Sequence, residues 1–134
     1  MILHPQLKAD CIELGQLSLC TVLLMPDAHY PWLILVPQRE NIRDIYDLSD
    51  GDQQQLMRES CFVAKTLADM FDADKINVAS LGNIVPQLHI HHIVRYHHDV
   101  SWPAPVWGAK PAKLYEAKSL DKRCQAIQKA LKLT

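Results

Sequence analysis

The segment GNIVPQLHIHHIVRYHHD, residues 82–99, contains five of the seven histidines in the chain. Its middle part is rich in isoleucine and valine, which favour extended structure, and we therefore predict a strand there. Because side chains alternate between the two faces of a strand, His89 and His91 share one face with Gln87. His92 falls on the opposite, mostly apolar face, which we expect to pack against helices. The segment thus predicts a row of Gln87, His89 and His91 on one face of a sheet.

The rest of the chain predicts the elements around this strand. Two apolar runs joined by the turn-like PDAHYP indicate an antiparallel hairpin at the centre of a sheet. Ser49 and Asp52 have the spacing of a helix capping box, and apolar residues follow at steps of three and four. The predicted strands cover residues 17–25, 32–36, 75–81 and 88–96, and the predicted helices cover 49–71 and the stretch containing Leu120, Cys124, Ile127 and Leu131.

This order of elements predicts the fold class. Strands interrupted by helices that do not alternate strictly with them are typical of an α+β fold. We therefore predict a mainly antiparallel sheet of about five strands with two main helices. A chain of 134 residues is long enough for one hydrophobic core and too short for two. We expect a single domain over residues 1–134.

Composition disfavours several classes of protein. A net charge of −1 gives no general attraction for a polyanion, so we expect no nucleic-acid partner. The first ten residues lack the pattern of a secretory leader, and no apolar run is long enough to span a membrane. The four cysteines form no C-x-x-C pair, which disfavours a zinc knuckle and a redox motif. We expect a cytoplasmic protein with reduced cysteines and no membrane partner.

Three interpretations compete for the histidine row. In the first, the imidazoles are hydrogen-bonded fillers of a half-buried sheet face. In the second, His89 and His91 bind zinc with a further ligand from residues 97–99, because imidazole is a common zinc ligand. In the third, one imidazole nitrogen attacks phosphorus while a hydrogen-bond acceptor fixes the other nitrogen. The flanking sequence favours the third interpretation.

The spacing around the row resembles the signature of the histidine triad (HIT) family, in which three histidines alternate with apolar residues. Gly82 stands five residues before Gln87, at the spacing of the family's glycine from its first histidine. The segment PWLILVPQRE, residues 31–40, resembles the family's strand that ends L-V-I-P-K-x-H. The resemblance covers residues 17–96 and leaves a C-terminal loop and helix over 97–134. The chain as a whole resembles bacterial HIT-domain hydrolases.

The resemblance implies a nucleotide phosphohydrolase or nucleotidyl transferase. His89 would attack the α-phosphorus and form a covalent nucleotidyl-histidine, and His91 would bind the phosphate oxygens or assist the leaving group. Gln87 takes the place of the first histidine. Asn83 would contact phosphate, and Asp27 would hold the ribose hydroxyls. The implied substrate is a nucleoside phosphoramidate or a dinucleoside polyphosphate. No cofactor or protein-bound metal is required, a divalent cation would accompany only a polyphosphate, and the expected assembly is a homodimer.

The roles of several residues allow two interpretations each. A glutamine amide at Gln87 can orient a ring but cannot act as an acid at neutral pH. A nucleotide-binding module with little turnover is therefore an alternative to an enzyme. Arg95 is either a bidentate phosphate contact in the nucleotide site or a solvated charge at the strand end. Trp102 and Trp107 either stack on a base or anchor the proline-rich loop that carries them.

Overall fold

The computed structural model of the protein describes all 134 residues. The helices are α1 (Pro5–Asp10), α2 (Asp50–Phe71) and α3 (Ala117–Leu131), and the strands are β1 (Ile12–Gln16), β2 (Cys20–Leu24), β3 (Trp32–Pro37), β4 (Lys75–Ser80) and β5 (Ile90–Arg95). A short 3-10 turn covers Ile45–Asp47. The five strands form one antiparallel sheet in the order β1-β2-β3-β5-β4. The predicted α+β fold, with five strands and two main helices, is confirmed.

The predicted hairpin and the long helix are present near their expected bounds. The hairpin consists of β2 and β3, and β3 is the central strand of the sheet. The hydroxyl of Ser49 accepts a hydrogen bond from the Asp52 amide at 3.1 Å, which caps the first turn of α2. None of the helices is both long and apolar enough to cross a bilayer.

The sequence patterns did not predict two elements, α1 and β1, and there is a physical reason for each. Helix α1 has only six residues and buries only Leu7, which is too little for a periodic pattern. In β1 the register shifts between Glu13 and Gly15, so a bulge interrupts the alternation expected of a strand. Strand β1 forms the edge of the sheet next to β2.

The two faces of the sheet bury different clusters of side chains. A larger cluster of 16 buried residues lies under α2 and α3. A smaller cluster of nine, which includes Trp32 and Ile93, lies on the opposite face. Strand β5 contributes to both faces, because His92 contacts Ser60 of α2 at 2.7 Å while His91 contacts Trp32 at 2.9 Å. The predicted alternation is confirmed, and it leaves the histidine row on the face that α2 does not cover.

The outer edge of β4 is open. This strand pairs only with β5, and Val78 at its centre is 51% exposed. An unpaired edge strand presents N–H and C=O groups with which a further strand can pair. This edge is therefore open to pairing with a strand of a second chain.

Candidate active site

A cleft of about 360 Å³ lies beside the histidine row. His89 and His91 line it and are almost fully buried, with 6% and 5% of their surface exposed. The other lining residues come from α1, the β2–β3 hairpin, the loop before β5 and the loop after it: Gln6, Leu7, Asp10, Met25, Ile34, Leu81, Gly82, Asn83, Ile84, Val85 and Trp107. A larger cavity of about 630 Å³ contains neither histidine. The chemistry of the lining, and not its volume, identifies the smaller cleft as the candidate site.

The main chain determines which ring nitrogen of His89 carries the proton. Nδ1 lies 2.7 Å from the carbonyl oxygen of Gln87. A carbonyl oxygen only accepts, so Nδ1–H is the donor. In the neutral ring the lone pair is then on Nε2, to which no protein group is bonded. A nucleophilic imidazole needs this free lone pair.

Trp32 imposes the opposite tautomer on His91. The indole Nε1–H donates to Nδ1 of His91 at 2.9 Å, so the proton of the neutral ring is on Nε2. Burial, together with the neighbouring His89 and His92, lowers the pKa of His91 to about 3, and the ring is neutral at pH 7. The ring centroids of His89 and His91 are 5.1 Å apart. The cleft therefore holds a lone pair on one histidine beside an N–H donor on the other.

The buried histidines predict a fold that loses stability in mild acid. Burial lowers the pKa of His92 to about 4, against the opposing effect of its hydrogen bond to the Ile90 carbonyl. As pH falls from about 6.5 towards 4, the unfolded chain binds protons at His91 and His92 while the folded chain does not. We expect the free energy of unfolding to decrease over this range, by at most about 1.4 kcal/mol per pH unit for each histidine. Denaturant unfolding at a series of pH values measures the slope.

Variants separate this effect from general acid denaturation. His92→Asn should make the slope shallower, because the unfolded chain of this variant binds one proton fewer over the same range. Burial would raise the pKa of Asp99, but hydrogen bonds, first that from Arg95, outweigh it and lower the pKa to about 2. The stability contributed by Asp99 is therefore lost only below about pH 4. A stability that stays constant from pH 6.5 to 5 would contradict the prediction.

Trp107 packs against the histidine row. Its ring centroid lies 5.0 Å from that of His91 and 5.9 Å from that of Trp32, with interplanar angles of 82° and 89°. Such edge-to-face pairs are favourable because the positive edge of one ring meets the negative face of the other. Trp107 is 38% exposed and lines the cleft. Of the two tryptophans that the sequence singled out, Trp107 thus lies at the site, while Trp102 packs over Arg95.

The HIT domain family model matches residues 6–98, which include most of α1, all five strands and both cleft histidines. The chain belongs to the HIT domain family. The match begins within α1, so the family pattern extends further towards the N-terminus than the resemblance over residues 17–96. No functionally curated protein matches the chain.

Solved histidine triad proteins have closely similar structures. The protein from Marinobacter aquaeolei VT8 is 46% identical with a TM-score of 0.94, over 98% of this chain and 96% of that chain. The protein from Bradyrhizobium japonicum is 42% identical with a TM-score of 0.94, over 97% of each chain. The protein from Sinorhizobium meliloti 1021 is 41% identical with a TM-score of 0.93, over 96% of each chain. The structural similarity therefore includes the C-terminal loop and α3, which lie outside the family-model match.

In this HIT domain the side chain of Gln87 contacts the N-terminal segment. Its Oε1 accepts from the His4 amide at 2.8 Å, and its Nε2 donates to the Ile2 carbonyl at 3.1 Å. The same nitrogen lies 3.0 Å from Sδ of Met1. Only the main-chain carbonyl of Gln87 contacts His89. Gln87 therefore orients the His89 ring through its backbone and not through its amide.

The three predicted nucleotide-binding residues lie in different environments. Asn83 is exposed and lines the cleft. Asp27 does not line it, is 6% exposed, and accepts from the backbone amides of His29 and Lys113 at 3.0 and 3.2 Å. Arg95 is 1% exposed and lies in a buried ion pair. Both side chains are buried against protein groups and neither lines the cleft, so the ribose contact of Asp27 and the phosphate contact of Arg95 stay predictions.

The single carboxylate that lines the cleft is Asp10, which the sequence patterns did not single out. This residue ends α1, is exposed, and accepts a hydrogen bond from Gln6 Nε2 at 2.7 Å. The four-residue spacing places both side chains on one face of the helix. That spacing was the only available signal, and a helix of six residues is too short for it to be recognised.

The zinc interpretation lacks a third ligand. No group of three or more histidine, cysteine, aspartate or glutamate side chains is arranged to hold a metal ion. Among the candidates at residues 97–99, Asp99 pairs with Arg95 at 2.8 Å, and His98 stacks on Tyr96 with ring centroids 5.1 Å apart. Asp99 and His98 are thus engaged with other side chains, and none of residues 97–99 lines the cleft that contains His89.

Proposed function

We propose that this HIT domain hydrolyses nucleotides through a covalent intermediate on His89. The observation that carries the proposal is the hydrogen bond from Nδ1 to the Gln87 carbonyl, which leaves the Nε2 lone pair free. Nε2 attacks the α-phosphorus, an N–P bond forms, and the bond to the leaving group breaks. The Gln87 carbonyl stabilises the positive charge that develops on the ring. Water then attacks phosphorus, the N–P bond breaks, and a nucleoside monophosphate leaves as the proton of the water passes to solvent.

His91 serves in this proposal as a neutral hydrogen-bond donor. Its Nε2–H is available because Trp32 occupies Nδ1. A donor aimed at a phosphate oxygen stabilises the negative charge that develops there during attack. Asn83, which lines the same cleft, is proposed as a second phosphate contact through its amide N–H.

Neither Gln87 nor His91 can protonate the leaving group at pH 7, and this favours one class of substrate. The Gln87 amide is not acidic at neutral pH, and His91 is unprotonated at pH 7 because burial lowers its pKa to about 3. The leaving group must therefore depart as a weak base. Phosphate and polyphosphate groups meet this condition better than alkyl amines, so we propose dinucleoside polyphosphates before phosphoramidates. A divalent cation would enter with such a polyphosphate.

Hydrolysis of a substrate panel tests the proposed function. The panel contains a dinucleoside polyphosphate, an adenosine phosphoramidate and inorganic pyrophosphate, with adenosine monophosphate (AMP) release followed by chromatography. Pyrophosphate has no nucleoside and should not be turned over. Binding of AMP without turnover of any member would instead favour the nucleotide-binding module.

We further propose that Asp10 binds the ribose hydroxyls. A carboxylate repels phosphate but accepts hydrogen bonds from a vicinal diol, and the apolar Leu7 and Met25 line the cleft with it. We expect wild-type kcat/KM to favour a ribonucleotide over its 2′-deoxy analogue by about tenfold. Asp10→Asn, with only one oxygen acceptor, should lose most of this preference. Competition between the two substrates measures the ratio directly.

The control for Asp10 is Asp121→Asn, an exposed aspartate on α3 outside the cleft. This variant should keep the ribose preference. If Asp27→Asn removed the preference and Asp10→Asn did not, Asp27 would be the ribose contact after all.

A homodimer is the assembly we propose. Its support is the open edge of β4, where Val78 is half exposed and no strand of the same chain can pair.

A further inference from the structure

Residues 99–107, which we call the Trp107 segment, follow β5 and bring Trp107 to the cleft without forming helix or strand. An irregular segment keeps one conformation only where its polar groups find fixed partners. Val106 is 5% exposed, which buries the end of the segment in the smaller core cluster. The beginning of the segment, nearer β5, needs partners of its own.

Arg95, the last residue of β5, binds the beginning of the Trp107 segment. Its guanidinium donates from Nε to Asp99 Oδ2 at 2.8 Å and from Nη2 to Asp99 Oδ1 at 3.1 Å. Nη2 also donates to Ser101 Oγ at 3.2 Å and to the Ala104 carbonyl at 2.8 Å. Nη1 donates to Asn77 Oδ1 of β4 at 2.8 Å. One buried side chain thus joins two strands of the sheet to three positions of the segment.

Asp99 connects the Arg95 guanidinium to the backbone of the segment. Its Oδ1 accepts from the amides of Ser101 and Trp102 at 3.2 and 2.8 Å, and its Oδ2 accepts from the Tyr96 amide at 3.0 Å. The carboxylate therefore holds the turn at the start of the segment while Arg95 holds the carboxylate. Breaking the buried pair would leave several donors unsatisfied, so the turn and the pair depend on each other.

A second route of contacts connects Arg95 to His91. The Tyr30 hydroxyl lies 2.7 Å from Ser101 Oγ, and the Arg95 guanidinium lies over the Tyr30 ring at 5.6 Å. Tyr30 packs edge-to-face on Trp32, with centroids 6.2 Å apart, and Trp32 donates to His91. Both routes from Arg95 therefore end at the His91 ring, one through Trp107 and one through Trp32.

We propose that Arg95 is a positioning residue for the cleft: it holds the Trp107 segment so that Trp107 packs on His91 and keeps the Nε2–H donor aimed at the substrate. Arg95 itself touches no substrate. The expected effect on turnover rests on the proposed function. The contacts by which Arg95 fixes the position of Trp107 are present without nucleotide.

A double-mutant cycle tests whether Arg95 acts through Trp107. We expect Arg95→Lys, which keeps the charge but loses the two-pronged contact with Asp99, to lower kcat by about tenfold with a smaller change in KM. Trp107→Ala should lower kcat by a similar factor. The double variant should lose clearly less than the product of the two single losses, because both changes release the Trp107 ring and only the connection through Trp32 adds to the loss. Effects that multiply to about a hundredfold loss would overturn the proposal.

Nuclear magnetic resonance of the nucleotide-free protein gives a readout that does not depend on turnover. In Arg95→Lys the indole N–H signal of Trp107 and the ring signals of His91 should shift and broaden. The control is Arg123→Lys, a half-buried arginine that packs on Phe71 instead of the segment. Its Trp107 and His91 signals should match those of the wild type.

The two readouts separate failure of this proposal from failure of the proposed function. A wild-type protein that turns over no nucleotide, yet shows the shifted Trp107 signals in Arg95→Lys, would overturn the function and keep the positioning role. Unchanged signals in Arg95→Lys would overturn the positioning role whatever the activity. If Arg95→Lys does not fold, Asp99→Asn, which keeps the shape of the carboxylate, replaces it in both experiments with the same expected results.

Discussion

His89→Asn is expected to lower kcat for nucleotide hydrolysis by about 10³-fold or more, because the variant has no ring nitrogen that can form the N–P bond. Asparagine still has an N–H that can donate to the Gln87 carbonyl, so the main-chain contact has a substitute. The affinity for AMP should therefore remain close to that of the wild type. Steady-state kinetics with a dinucleoside polyphosphate and calorimetric titration with AMP measure the two quantities.

His98→Asn provides a matched control for this variant, since the same substitution is made in an exposed histidine outside the cleft. Its kcat should equal that of the wild type. A His89→Asn protein that is folded, binds AMP and turns over at the parent rate would contradict the role of His89 as nucleophile.

Glu59→Ala is expected to lower the free energy of unfolding by about 3 kcal/mol, the largest stability effect we predict. Glu59 lies on α2, is 5% exposed, and accepts from the backbone amides of Leu19 and Cys20 at 2.8 and 2.9 Å. Gln55 adds a third hydrogen bond at 2.7 Å. Alanine would leave two buried amides at the start of β2 without an acceptor. Denaturant unfolding gives the change.

Two further variants show whether the cost comes from the unsatisfied amides. Glu59→Gln keeps one oxygen acceptor and should lose roughly half as much stability. Asp69→Ala removes a carboxylate of the same helix from an exposed pair with Lys65 and should cost less than about 0.5 kcal/mol. If Glu59→Ala were as mild as Asp69→Ala, the hydrogen bonds to β2 would not contribute to stability as we infer.

Local patterns predicted the parts of the site that depend on local geometry. The two-residue period of a strand separates His89 and His91 from His92 wherever the strand packs, and the structure confirms this separation. The capping pattern at Ser49 likewise acts within one turn of helix, and it correctly located the start of α2. Such predictions need no knowledge of the rest of the fold.

Long-range partners explain what the sequence did not reveal. The amide of Gln87 binds main-chain groups more than eighty residues earlier in the chain, and Glu59 binds β2 some forty residues earlier. Asp10 reaches the cleft only because α1 packs beside the sheet. Arg95 is buried because a loop after β5 folds back over it. No periodic pattern encodes these contacts, and each changes the role that its residue would be given from sequence alone.

Detection of the covalent intermediate is the most direct test of the proposed chemistry. The protein is mixed with a nucleotide labelled at the α-phosphorus, denatured in alkali within the first turnovers, digested, and mapped by mass spectrometry. We predict one nucleoside monophosphate on the peptide that contains His89, stable in alkali, lost in acid, and absent from His89→Asn. AMP formation without any adduct, or an adduct on another residue such as His91, would contradict the proposal.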